Sequence, residues 1–236
     1  MDERATRVRE ILGLRRLPIK IGFLDGLPAQ LPRWAGGPVA AGCVFWDAAM
    51  AGKSFYTIAA DHWNCAVGSH IHGIPLPADR ASELDATIEF MIETRYTDAA
   101  EVAGIPTVER EPKAIAYAPA SSDAFTGDLF LLAATPATLS LIQDAARRAG
   151  LAQEGTASIG RPSCAILPAA AKSGSVALAF GCKSNRVFTQ IGDHEAYVAI
   201  PARGWDAFVE KLLQVQRANL TMGTYFQAHA AKFGGK

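Results

Sequence analysis

The chain predicts an α+β fold: a mixed sheet with flanking helices, built as two loosely repeated halves. Three observations carry this. Short apolar runs bounded by glycine and proline, such as Pro18–Phe23, Lys113–Ala118, Asp128–Ala133 and Ala196–Ile200, read as strands. Longer amphipathic segments lie between them and read as helices. One order also recurs, in which a cysteine opens an Ala-rich helix, a Gly/Lys/Ser turn follows, then a strand, then a second cysteine.

The elements follow in order. Val8, Ile11, Leu12 and Leu14 among charges predict a helix over Asp2–Leu14. Pro18–Phe23 alternates as a strand, and a breaker-rich loop follows with Arg33 and Trp34, the tryptophan read as packing on that loop. Val39–Ala51 is a short helix holding Cys43, and Ser54–Ala60 is a strand. Asp79–Tyr96 is the clearest helix of the first half, with Leu84, Ile88, Met91 and Ile92 on one face. After two further strands, Thr135-Pro136 starts a helix that stops at Gly150, through a capping hydroxyl and a first-turn proline. Leu151–Gly160 is polar and marks the boundary between halves of about 1–150 and 151–236 within one domain. The second half is expected to continue with an Ala-rich helix from Cys164 and strands over Ser175–Phe180, Val187–Ile191 and Ala196–Ile200. A helix over Gly204–Leu220 and a fraying tail complete it.

Of 236 residues, 50% are hydrophobic and 19% charged, which describes a compact domain able to bury a core without disulfides. Basic and acidic residues balance at 23 each, so nothing points to nucleic acid, whose binding needs a basic surplus or a basic face. The N-terminus lacks the layout of a signal peptide, and no apolar run is long enough to span a membrane. A cytoplasmic location is therefore expected, where cysteines stay reduced and serve as core, catalytic or ligand residues. The expected partner is a small-molecule substrate or ligand. Homo-oligomerisation is left open.

Three of the five histidines and one of the four cysteines crowd into Asp61–Pro75. His62-x-x-Cys65 puts two ligands on one turn. His70-x-His72 puts two imidazoles on one face if that segment is extended. Three chemistries suit these residues. Cys43, Cys65, Cys164 and Cys182 can together hold an iron–sulfur cluster or zinc, since soft thiolates select both. The absence of any Cys-x-x-Cys counts against a standard motif and leaves buried core thiols as the plain alternative. A mixed Cys/His metal site on the 61–75 stretch is the second. The third is metal-free thiol catalysis, by Cys65 with His62 or by Cys182 beside Lys183 and Arg186. A non-catalytic ligand- or metal-binding module remains the reading from another class. Asp193 and Glu195 beside His194 are read as a satisfied turn. Ala51-Gly52-Lys53-Ser54 is not a phosphate loop: Asp47 stands where its first glycine belongs, and the segment runs helix to strand.

Taken together, the motifs resemble the DUF169 family over nearly the whole chain. Arg161-Pro162-Ser163-Cys164-Ala165-Ile166-Leu167-Pro168, Gly181-Cys182-Lys183-Ser184-Asn185-Arg186, Asp193-His194-Glu195 and Ala199-Ile200-Pro201 carry the resemblance in the second half. Gly127-Asp128-Leu129-Phe130-Leu131 resembles that family's central strand. Pro18-Ile19-Lys20-Ile21, Cys43 and His62-Trp63-Asn64-Cys65 carry the resemblance in the first half. It implies an architecture rather than an activity, and it implies that the four cysteines act as a set. A small residue often precedes the family's counterpart of Arg186, where this chain has Asn185. The expectation is a metal or iron–sulfur protein, with [4Fe–4S] first and zinc second. In a redox enzyme, His62, His70 and His72 would line the site, and Arg186 would bind an anionic substrate group.

Overall fold

The computed structural model describes residues 3–152 and 162–233. The Leu151–Gly160 boundary and Arg161 therefore fall almost entirely outside the described residues. The first half holds α1 (Glu3–Leu12), β1 (Ile19–Leu24), α2 (Val44–Met50), β2 (Phe55–Thr57), α3 (Ala59–His62), α4 (Ala66–Ile71), α5 (Glu83–Glu93), α6 (Ala99–Ala103) and β3 (Ala114–Pro119). The rest holds β4 (Leu129–Ala134), α7 (Pro136–Arg148), α8 (Ile166–Ser173), β5 (Ala177–Ala179), α9 (Lys183–Phe188), β6 (Ala196–Pro201) and α10 (Trp205–Ala228).

The fold is α+β, as expected. Six strands form one open sheet in the order β2-β3-β1-β4-β6-β5. Among the described residues every ladder is antiparallel, and an isolated parallel bridge joins Arg33 to Tyr56 at one edge.

The strand registers give the repeat a geometric form. β1 pairs all along β3 from Ile19↔Pro119 to Leu24↔Ala114, and β4 pairs all along β6 from Leu129↔Pro201 to Ala134↔Ala196. Tyr117, the fourth residue of β3, faces the first residue of β2, and Ala199, the fourth of β6, faces the first of β5. The halves meet where Lys20 faces Phe130, each the second residue of its strand. Equivalent strands thus occupy equivalent places about a pseudo-two-fold axis that crosses the sheet between β1 and β4. By this topology the join falls between β3 and β4, earlier than the boundary near 150 expected from composition.

An axis perpendicular to a sheet keeps each face on its own side, so α2 and α8 lie on the same face. There Phe45, Trp46, Ile166 and Leu167 bury Ile19, Ile21, Tyr117, Leu129, Leu131 and Tyr197. The opposite face carries α1, α7 and α10, with Trp205 stacked on Phe130 at 4.0 Å. Both faces are covered, so the central strands read as continuous apolar runs.

The symmetry is not complete: α7 lies between β4 and α8 but has no counterpart between β1 and α2, and a second break lies beside the cysteines. Between α9 and β6 the second half has only residues 189–195, while between α4 and β3 the first half has residues 72–113, which contain α5 and α6.

Two local expectations are corrected. Val187–Ile191 is not a strand: Val187 and Phe188 belong to α9, where the Cys182 carbonyl accepts from Arg186 N–H at 3.0 Å and the Asn185 carbonyl from Thr189 N–H at 2.9 Å. The β propensity of Val, Phe and Thr is overridden by these local bonds. Likewise Ala66–Ile71 is helical, not an extended loop.

Candidate functional site

The two halves deliver their cysteines by the same route. Cys43 opens α2 and Cys164 lies in the turn that leads into α8. Cys65 and Cys182 cap α4 and α9, which follow the equivalent edge strands β2 and β5. All four line one cavity of about 350 Å3, and all four are free.

The thiols sense one another. Burial pushes Cys43 up to about 12, opposed by a hydrogen bond from the Asn185 side chain, with Cys182 and Cys65 raising it further. Burial also holds Cys164 well above the ordinary thiol value, and the other three cysteines add to it. A thiolate on Cys43 or Cys164 would be desolvated and would face other thiols, so without a cation these two stay protonated. A bound metal would reverse this by supplying positive charge to the sulfurs.

Small residues make room around the sulfurs. A Cβ on Gly68 would stand 2.8 Å from Cys65 Sγ. Buried Ser163 accepts a hydrogen bond from Cys182 N–H at 2.5 Å. Asn185 is fully buried, and its Nδ2 also donates to the Tyr197 hydroxyl at 3.4 Å. Ser163 and Asn185 are site residues that the sequence did not single out as such. Their signal was position alone, next to Cys164 and three beyond Cys182.

The histidines separate. His72 lines the cavity, is fully buried, and has no hydrogen-bond partner at either ring nitrogen. Burial lowers it to about 4, so it is neutral near pH 7. His70 also lines the cavity but is exposed. The expectation that the two share a face fails because α4 is a helix, and residues two apart on a helix point to nearly opposite sides. His62 lies behind the wall, its ring 5.9 Å from that of His72. Its Nε2 shares a 2.7 Å hydrogen bond with Thr57 Oγ1, while its Nδ1 has no partner. Burial lowers this imidazole well below its ordinary value, and His72 adds to the effect.

Arg186 is not among the residues around the cavity. Its guanidinium donates to the carbonyls of Gly192 at 3.0 Å, Glu195 at 3.2 Å and Phe180, and it pairs with exposed Asp193 at 3.5 Å. It ties α9 to the 192–195 turn. Glu195 is buried in that turn, accepting from Gly192 N–H at 2.8 Å and facing Arg16 at 3.6 Å, as a satisfied turn requires. Trp34 packs on Phe45 and Phe55, and its indole donates to the Gly37 carbonyl at 2.8 Å.

The cavity's outer wall comes from the segment unique to the first half: Leu84, Thr87, Ile88 and Met91 of α5, then Tyr96, Val102 and Ile105. The Tyr96 hydroxyl accepts from Lys183 N–H at 2.8 Å, which fastens this segment to the second half beside Cys182.

Among the described residues, no three of His, Cys, Asp and Glu are gathered so as to hold a metal ion, and no helix is long and apolar enough to cross a membrane. A family model matches residues 7–211: DUF169, described as an uncharacterised ArCR group. No curated protein and no solved structure matches the chain.

Proposed function

We propose that this chain, which belongs to the DUF169 family, holds a [4Fe–4S] cluster on Cys43, Cys65, Cys164 and Cys182 and serves redox chemistry on a small molecule. One observation carries the reading. Four cysteines from distant segments, two in each half, line a single cavity. Core thiols have no reason to meet in one place, since any small apolar side chain fills a core equally well.

The donor set fits the group. Four thiols suit soft iron–sulfur ligation, and the carboxylate beside the cavity, Glu83, is paired with Arg80. A lone zinc needs its ligands drawn to about 2.3 Å from one point. In a cluster each cysteine meets a different iron, so the four sulfurs need not be drawn to one point. When bound, such a cluster supplies one-electron transfer at a potential set by burial and by hydrogen bonds to its sulfurs. The chain's residues then have definite tasks. Asn185 donates to Cys43, Ser163 fixes the backbone that carries Cys182, and Gly68 leaves space beside Cys65. The α5 wall covers one side of the cavity that the cysteines line.

The test is spectroscopic. Anaerobically purified protein is expected to be brown, with broad absorbance at about 400 nm, and Cys43→Ser or Cys164→Ser to lose most of it. Protein that stays colourless after reconstitution with iron and sulfide would overturn the reading. Fast labelling of a single thiol in that protein would favour metal-free catalysis instead.

A further inference from the structure

We propose that the space between the four cysteines and α5 binds a small, mostly apolar organic molecule that hydrogen-bonds to His72. The inference rests on the cysteine-wall reading for its purpose, as the substrate pocket of a redox centre, and it adds the chemistry of the occupant.

Three independent observations support it. First, His72 is fully buried, lines the cavity, and leaves both ring nitrogens without a partner. Buried polar atoms are nearly always paired, and an orphan costs about 1–3 kcal/mol. A neutral imidazole offers one donor and one acceptor. A ligand with a hydroxyl or carbonyl group satisfies one of them. Second, α5 has an apolar face but no buried residue. Leu84, Ile88 and Met91 turn that face toward the cavity rather than into the core. Such a wall, with few polar groups, is the usual lining of a small-molecule site, and the volume of about 350 Å3 lies in the range of such sites. Third, α5 belongs to the segment 72–113, which has no counterpart in the second half. The repeated parts of the fold carry the cysteines, and the unrepeated part carries the wall and His72. The ligand is therefore expected to be asymmetric in its contacts, mostly apolar against Leu84, Ile88 and Met91 and hydrogen-bonded at His72.

Two probes isolate that polar point: naphthalene and 2-naphthol, which share a body and differ by one hydroxyl. Binding is measured by fluorescence titration on the protein as purified, with iron and sulfide measured on the same sample. Wild type is expected to bind 2-naphthol about tenfold more tightly than naphthalene, the worth of one buried hydrogen bond. His72→Leu is expected to erase that ratio while retaining naphthalene, and Met91→Asp to weaken both probes. Equal affinity of the two probes for wild type, or no binding of either up to millimolar concentration, would overturn the proposal without any variant. An unchanged ratio in folded His72→Leu would do the same. Iron present with no probe binding removes this inference alone. Probe binding with the expected ratio in protein that takes up no iron even after reconstitution removes the cluster reading alone.

Discussion

Replacing His72 with leucine should remove a defined part of the protein's acid sensitivity. His72 is fully buried and burial holds it at about 4, against an ordinary value of 6.5. The unfolded chain therefore takes up a proton on this side chain as pH falls through 6.5, while the native protein does not until about 4. Between these values the unfolded state binds more protons, so stability falls with falling pH. The contribution is fully present above pH 6.5, decreases through the window, and is exhausted below about 4. A shift of this size is worth about 3 kcal/mol in full, and about 2 kcal/mol is already lost at pH 5. His62 acts with the same sign, because its imidazole is also held neutral by burial and by its neighbour. The assay is urea unfolding at pH 7 and pH 5 for wild type and His72→Leu, prepared identically so that other titrations cancel in the difference. The variant should lose about 2 kcal/mol less than wild type between the two pH values. At pH 7 it should be about as stable or slightly more stable, since an unpaired buried imidazole is exchanged for an apolar group. Equal pH losses in both proteins would refute the argument and mean that His72 finds a proton partner or solvent.

Three further outcomes follow from particular contacts. Gly68→Ala places a Cβ 2.8 Å from Cys65 Sγ at a buried position of α4; overpacking of about 1–3 kcal/mol should exceed the helix-propensity gain of about 0.5–1, so a stabilised variant would contradict the packing around Cys65. Asp47 joins Arg16 at 2.7 Å in a partly buried contact and accepts from exposed Gln190 N–H at 2.6 Å; Asp47→Ala should cost about 1–3 kcal/mol, read as a Tm drop of several degrees by calorimetry, and an unchanged Tm would show the contacts to be solvent-compensated. Ser163→Ala removes the acceptor for Cys182 N–H; urea unfolding should show a loss of about 1–3 kcal/mol, whereas Ser163→Thr, which keeps a hydroxyl, should lose less if the hydrogen bond is what matters.

Most of the frame was legible in the sequence because its strands are self-evident in pattern. β1, β3, β4 and β6 are apolar runs set off by breakers, and each lies within two residues of its expected place. The helix–turn–strand–cysteine order was legible as well, and the strand registers turn that weak likeness into equivalent positions in one sheet. What failed did so where tertiary contacts decide. The apolar face of α5 reads like any core-facing stripe, and nothing in its periodicity distinguishes a cavity wall from a core. His70 and His72 both reach the cavity, but not as a pair on one extended face: His70 lies exposed on α4, while His72 caps its end and is buried. Arg186 looks like an anion binder because arginines often are. Its partners are backbone carbonyls of Phe180, Gly192 and Glu195, which side-chain patterns cannot reveal. Asn185 was noted only as a departure from the family pattern, yet it lies against Cys43.

The central claim is that the four converging cysteines hold a cluster. Iron and acid-labile sulfide, measured per chain on anaerobically prepared and reconstituted protein, test it most directly. The account predicts about four of each, and little of either when all four cysteines are replaced by serine. Iron and sulfide no higher in the native chain than in that fourfold variant would contradict it.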